Sequence, residues 1–183
     1  MPKLALRDFV FDNTPTVNQE KPKLSVYWQD SGPSTQAELL STKDDQVQAL
    51  IHQIRKSLFI SNHENLANKL ITLFNVAKEE KLTSLGISVN SLSNFYDFLR
   101  LYTNIKNPTL SLTPDYNIYA SWRAENRIFS AHFLPSGDIR FVLFKLNNRH
   151  PKHKIRVAGI ATYDTLTEIV VQESLNDWVF GEG

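Results

Sequence analysis

The spacing of apolar residues between positions 36 and 105 follows the period of an α-helix. In the stretch QAELLSTKDDQVQALIHQIRKSLF, apolar side chains recur every three or four residues, which predicts an amphipathic helix. Ser41 or Thr42 is the expected N-cap, because Asp44 and Asp45 would then lie in the first turn, where the helix dipole favours acidic side chains. The apolar positions of this helix are Val47, Leu50, Ile51, Ile54 and Leu58.

The same period predicts two more helices before any strand. The second follows SNHEN, with Ser61 or Asn62 as its cap, and should form a hairpin with the first. Its apolar positions are Leu66, Leu70, Leu73, Phe74 and Ala77. The chain breaks at Gly86, and a third helix starts near Ser91. Its apolar positions are Leu92, Phe95, Phe98, Leu99 and Tyr102.

After Pro108 the period changes to two, which is typical of strands. Residues 109–161 predict a four-stranded antiparallel meander with turns at Pro114-Asp115, Glu125-Asn126 and Ser136-Gly137-Asp138. The face expected in the core carries Ile118, Ala120, Trp122, Phe129, Ala131, Phe133, Ile139, Phe141 and Leu143. The opposite face carries Tyr119, Arg123, Ser130, His132, Arg140 and Val142, so we expect it to be largely water-compatible.

The order of these elements predicts the fold class. A closing helix over residues 163–179 has Thr162 as its expected cap and Leu166, Ile169 and Val170 on its apolar face. Helices, then a meander, then a helix indicate an α+β fold. We expect one domain over residues 36–183, with a helical part at 36–105, the meander at 109–161 and the closing helix at 163–179.

Residues 1–35 have a different pattern and predict an extended arm. This region contains four prolines and two short apolar segments, LALRDFVF and KLSVYWQD, which polar residues separate. In the second segment Leu24, Val26 and Trp28 fall on one side of an extended strand, which could add to the edge of a sheet. The arm either packs on the protein's own core or binds a partner through these three residues.

Composition narrows the class of protein. The 183 residues are 42% hydrophobic and 21% charged, as in an ordinary globular protein, and the formal net charge is only +1. A prediction of nucleic-acid binding must therefore rest on a local patch of positive charge. The sequence has no cysteine and no apolar run that approaches the roughly 20 residues of a membrane span. Arg7 and Asp8 interrupt the first apolar residues, so we expect no signal peptide and a cytoplasmic protein without membrane contact.

One local patch is strongly basic. The stretch KLNNRHPKHKIR, residues 145–156, contains Lys145, Arg149, Lys152, Lys154 and Arg156 and no acidic residue. It is either a solvated hairpin loop or a site for a polyanion, such as the phosphates of a nucleic acid, or for an acidic partner. Arg123, Arg127 and Arg140 would extend it over the open face of the sheet, where Tyr119 and His132 could stack on bases.

The sequence offers little that predicts catalysis or a metal. His150 and His153 supply at most two ligands, whereas a zinc site needs three or four, so neither a metal nor a cofactor is expected. Candidate catalytic groups such as His132, Asp138 and Glu125 are scattered along the meander without a recognisable order. We keep a small enzyme as a third hypothesis.

These observations predict a non-enzymatic, cytoplasmic interaction protein of a prokaryote. It would bind a protein partner through the arm and the exposed sheet. Toxin-neutralising proteins and accessory subunits of defence or regulatory complexes have a similar general architecture, and the comparison rests on that similarity alone. The alternative is a nucleic-acid-binding accessory protein that uses the basic loop 145–156. The sequence leaves the oligomeric state open.

Overall fold

The computed structural model describes residues 34–80, 86–147, 150, 154–175 and 178–180. These residues form four helices and five strands, which confirms the α+β class. The elements are α1 (Ser34–Lys56), α2 (His63–Glu80), α3 (Val89–Leu101), β1 (Thr109–Leu112), β2 (Ile118–Ala124), β3 (Arg127–Phe133), β4 (Ile139–Leu146), β5 (Lys154–Ala161) and α4 (Tyr163–Gln172).

Helices α1 and α2 pack against each other as the predicted antiparallel hairpin. Lys78, near the end of α2, donates to Asp44 of α1 at 2.7 Å. Arg55, near the end of α1, donates to Asn68 of α2 at 2.6 Å. The later residue of α1 thus contacts the earlier residue of α2, so the helices run in opposite directions. Their facing apolar side chains are buried, as the helical period predicts.

Two details of the predicted first helix are wrong. The helix begins at Ser34, so Ser41 and Thr42 lie inside it instead of capping it. The segment QAELL consists of good helix formers, which lets the helix start earlier than the capping pattern indicates. At the other end the helix stops at Lys56, and Leu58 is 89% exposed in the turn that follows.

Helix α3 attaches the helical layer to the sheet. Ser88 caps it by accepting a hydrogen bond from the Ser91 amide. The ring of Phe133 in β3 lies 5.0 Å from that of Phe95 and 5.1 Å from that of Phe98, both in edge-on arrangements that aromatic pairs favour. Asn94 is also buried, and its amide donates to two carbonyl groups of the turn between β3 and β4.

The sheet has five antiparallel strands in the order β1-β2-β3-β4-β5, not the four predicted. The turn predicted at Pro114-Asp115 is present and divides the segment TLSLTPDYNIYASW into β1 and β2, so the predicted total was one strand too low. Pro114 has no amide hydrogen for a ladder bond, and Tyr116 adopts a positive φ of 59°, so the chain turns back there. Leu112 then pairs with Ile118, and β1 becomes an edge strand. The predicted turns at Glu125-Asn126 and Ser136-Gly137-Asp138 connect β2 to β3 and β3 to β4.

The predicted assignment of core positions in the meander is confirmed. All nine side chains expected in the core, from Ile118 to Leu143, are buried. Of the residues expected on the opposite face, Ser130 is the exception, because it is only 6% exposed. It lies in the middle of the central strand, between Ser121 and Val142 of the neighbouring strands, which shield it from water.

The closing helix is shorter than predicted. Thr162 caps α4 as expected, but the helix ends at Gln172 instead of continuing to residue 179. Ser174 has a left-handed backbone with φ of 52°, which ends the helical path. The chain then folds back so that Phe180 pairs with Ile105 and the Lys106 amide donates to the Val179 carbonyl.

Candidate binding surface on the open face of the sheet

One face of the sheet is covered by helices, and the other, which we call the open face, is not covered by any described element. It comprises positions 109 and 111 of β1, 119, 121 and 123 of β2, 128, 130 and 132 of β3, 140, 142, 144 and 146 of β4, and 154, 156, 158 and 160 of β5. None of these positions holds an aspartate or a glutamate. Four hold a basic residue, namely Arg123, Arg140, Lys154 and Arg156.

The strand register arranges part of this face as a row with a cation at each end. Arg123 pairs with Ile128, Ile128 pairs with Phe144, and Phe144 pairs with Arg156. Neighbouring strands lie about 4.8 Å apart, so the two arginines are separated by about 14 Å across the sheet. Both arginines are exposed, whereas the two apolar side chains between them are half-buried. The row thus presents an apolar centre between two positive charges.

A second row lies parallel to the first and combines aromatic and basic side chains. Tyr119 pairs with His132, His132 with Arg140, and Arg140 with Ile160. Burial, and next the positive charge of Arg140, lower the pKa of His132, whereas Asp115 acts in the opposite direction. His132 is therefore mostly neutral at pH 7, and its ring adds to the half-buried aromatic surface around Tyr119.

No ion pair among the described residues neutralises the cations of the open face. Within the described part of the chain, the ion pairs are Lys78–Asp44, Arg100–Asp97 and Lys145–Glu173, and none includes a residue of this face. Because the whole chain has a formal net charge of +1, these four positive side chains leave three net negative charges on the rest of the sequence. Positive charge is therefore concentrated on the open face, although the net charge of the chain is close to zero.

The structure divides the basic residues that the sequence placed together in one loop. Lys154 and Arg156 lie on the open face with Arg123 and Arg140. Lys145 points to the covered side, since it alternates with Phe144, and it pairs with Glu173 just after α4. Arg149 and Lys152 lie outside the described residues, as do the predicted arm residues Leu24, Val26 and Trp28.

A cleft of about 620 Å³ lies mainly on the covered side, at the end of β4. Arg127, the Lys145–Glu173 pair and Trp178 contribute to its walls. Arg127 therefore does not extend the open face, contrary to the sequence-based expectation, because it shares a side of β3 with the buried Phe129.

The scattered candidate catalytic groups are not brought together. His132 lies near the end of β3, Glu125 lies in the turn before this strand begins, and Asp138 accepts a hydrogen bond from Ser136 in the following turn. Among the residues that the structure describes, no three histidine, aspartate or glutamate side chains are grouped closely enough to hold a metal ion. The described helices also include none with the length and apolar character that crossing a bilayer requires.

The sequence-based prediction found Val142 but missed other apolar residues of the open face. Ile128, Phe144 and Ile160 belong to it, and Ile160 is 60% exposed. Strict continuation of the alternation through both ends of each strand would have found them, because Ile128 precedes the buried Phe129 and Phe144 follows the buried Leu143.

Comparison with known proteins gives no match to a family model, to a curated protein or to a solved structure. The arguments about function therefore rest on the open face itself.

Proposed function

We propose that this protein is a non-enzymatic interaction protein that binds an acidic macromolecule through the open face of its sheet. The observation that carries the proposal is the set of four exposed cations, Arg123, Arg140, Lys154 and Arg156, on a face without any acidic residue. A role as a cytoplasmic accessory or toxin-neutralising subunit in a prokaryote remains a prediction from the general build of the chain.

The physical argument is that this arrangement does not help the fold. At a separation of about 14 Å in water, two like charges repel each other by about 0.3 kcal/mol. Exposed charges of both signs would avoid this repulsion, and they are the usual composition of a solvated surface. An acidic partner turns the repulsion into attraction, and a face lined by one sign of charge also accelerates the encounter with such a partner.

A heparin column tests this proposal, because heparin is a polyanion without bases or a folded surface. The test variant replaces the four open-face cations by glutamine: Arg123, Arg140, Lys154 and Arg156. The matched control makes the same change of charge at positions outside the open face: Lys43 and Lys56 of α1, Arg100 of α3, and Lys106 in the loop between α3 and β1. We expect the test variant to elute at a clearly lower salt concentration than the wild type, and the control to elute close to the wild type, since the attraction is local.

Two results would contradict the proposal. If both variants shifted equally, only the net charge would matter, and the open face would have no special role. If the wild-type protein were not retained at about 50 mM salt, where such contacts are strongest, the face would not bind polyanions at all.

A further inference from the structure

We infer that the acidic partner is a single-stranded nucleic acid, whose bases stack on Tyr119 and Phe144 while its phosphates contact the surrounding cations. This inference rests on the proposed function and specifies its partner. Proteins that bind single strands combine a positive surface for the backbone with aromatic side chains for the bases. The open face has both features on one continuous surface.

The positions of the rings fit this division of roles. Tyr119 lies in β2 and Phe144 in β4, with His132 paired to the first ring and Arg156 paired to the second. From the strand spacing and the rise per residue, the two rings are about 16 Å apart along a diagonal of the face. They would therefore stack on two bases that are not neighbours, and both rings are only half-buried.

The type of cation also favours phosphates. Three of the four basic side chains are arginines, whose planar guanidinium group binds a phosphate with two parallel hydrogen bonds. Their positions at the borders of the face, around Ile128, Val142 and Phe144, leave the apolar centre for the bases. A duplex would present only phosphates to this centre, because its bases are stacked inside the helix.

An acidic peptide is less well matched to this surface. Peptides add to sheets at the edges, where free backbone groups give main-chain hydrogen bonds. In β2, β3 and β4 each strand has a hydrogen-bonded neighbour on both sides, so the middle of the open face offers side chains alone. Stacking of bases does not need backbone donors, and it contributes to affinity with any sequence of bases.

The inference is tested by fluorescence anisotropy with labelled probes. The probes are oligothymidylate and oligouridylate of about 12 nucleotides and a duplex of the same length, which is within the range of single-strand site sizes. We expect both single strands to bind at least about tenfold more tightly than the duplex. With four phosphate contacts, the slope of log K against log salt should be about −3, and the Arg123→Gln, Arg156→Gln double variant should reduce it by about half.

Variants of the two rings separate stacking from charge. Tyr119→Leu and Phe144→Leu should each weaken single-strand binding by about fivefold or more, because stacking on one aromatic side chain is worth that much or more. Retention on heparin should not change, since no charge is lost. Tyr96→Leu is the matched control, because Tyr96 lies on α3, away from the open face, with Arg100 over its ring. Each variant is first checked for a cooperative urea transition, and Tyr119→Leu serves alone if Phe144→Leu does not fold.

The possible outcomes distinguish the inference from the proposed function. Retention on heparin through the four cations without oligonucleotide binding would overturn the inference and leave an acidic protein as the partner. Equal affinity for single strands and duplex, with no effect of either ring, would also overturn it, since binding would then depend on phosphates alone. Loss of both heparin and oligonucleotide binding in the wild type would overturn the inference and the proposed function together.

Discussion

Replacement of Ser91 by alanine tests whether buried hydrogen bonds hold α3 on the sheet. Ser91 is fully buried, and its hydroxyl donates to the Phe133 carbonyl at 2.6 Å while it accepts the Ile118 amide at 2.8 Å. One side chain thus joins α3 to the last residue of β3 and to the first residue of β2. Alanine would remove this hydroxyl and leave both backbone groups buried without their partner.

The size of the effect follows from these two groups. A buried backbone group without a hydrogen bond costs about 1 to 3 kcal/mol, so the pair costs about 2 to 6 kcal/mol. Alanine regains about 0.5 kcal/mol through its higher helix propensity. We therefore expect Ser91→Ala to lower the free energy of unfolding by about 2 to 5 kcal/mol, a large part of the about 5 to 15 kcal/mol that stabilises a typical domain.

Urea denaturation followed by tryptophan fluorescence measures this loss, and Ser130→Ala is the matched control. Ser130 is also nearly buried, but its hydrogen bond at 3.2 Å goes to the hydroxyl of Ser121, which is partly exposed and can turn to water. We expect the control to lose less than about 1 kcal/mol. A loss of the same small size for Ser91→Ala would refute the reasoning, since the freed backbone groups would then have found other partners.

Two further predictions concern single positions in the fold. Gly86→Ala should destabilise the protein by about 2 to 5 kcal/mol, because φ is +67° and a Cβ would lie 2.6 Å from the Phe74 ring. Gly137 has a φ of +94° but open space around it, so Gly137→Ala should cost only about 1 to 2 kcal/mol. Urea denaturation measures both losses. Burial, with a smaller contribution from Asp97, raises the pKa of Tyr163. Above about pH 10 the unfolded state therefore loses a proton that the folded state keeps. The free energy of unfolding should fall as the pH rises past that value. Tyr163→Phe should reduce the fall of the thermal midpoint between about pH 9 and pH 11, and an unchanged fall would contradict the assignment.

The two faces of the sheet could be predicted from the sequence because alternation is a local property. Side chains of successive residues in a strand point to opposite sides whatever the partner strands are. Phe141 and Leu143 were therefore correctly assigned to the core, and Arg140 and Val142 to the opposite face. The same rule also places Lys145 on the covered side, but its nearness in sequence to Lys154 and Arg156 suggested a single basic loop instead.

The ends of the helices were less predictable, because both capping patterns and later packing influence them. The cap at Thr162 was found from its sequence, and α4 begins there. The end of the same helix depends on the return of the chain toward Ile105, where Trp178, Val179 and Phe180 become buried. The sequence LNDWVF contains no local pattern that predicts the end of the helix before these side chains.

The sequence by itself determined the α+β class, the helical and strand periods, and which residues of each central strand face the core, since all of these depend on neighbours along the chain. Only the tertiary structure decided which residues lie side by side across the strands. Arg123 and Arg156 are 33 positions apart, and they come into one row because three successive strand pairings fix the register between them. The open face is a product of that register, because cross-strand neighbours are set by hydrogen bonding between strands and not by spacing along one strand.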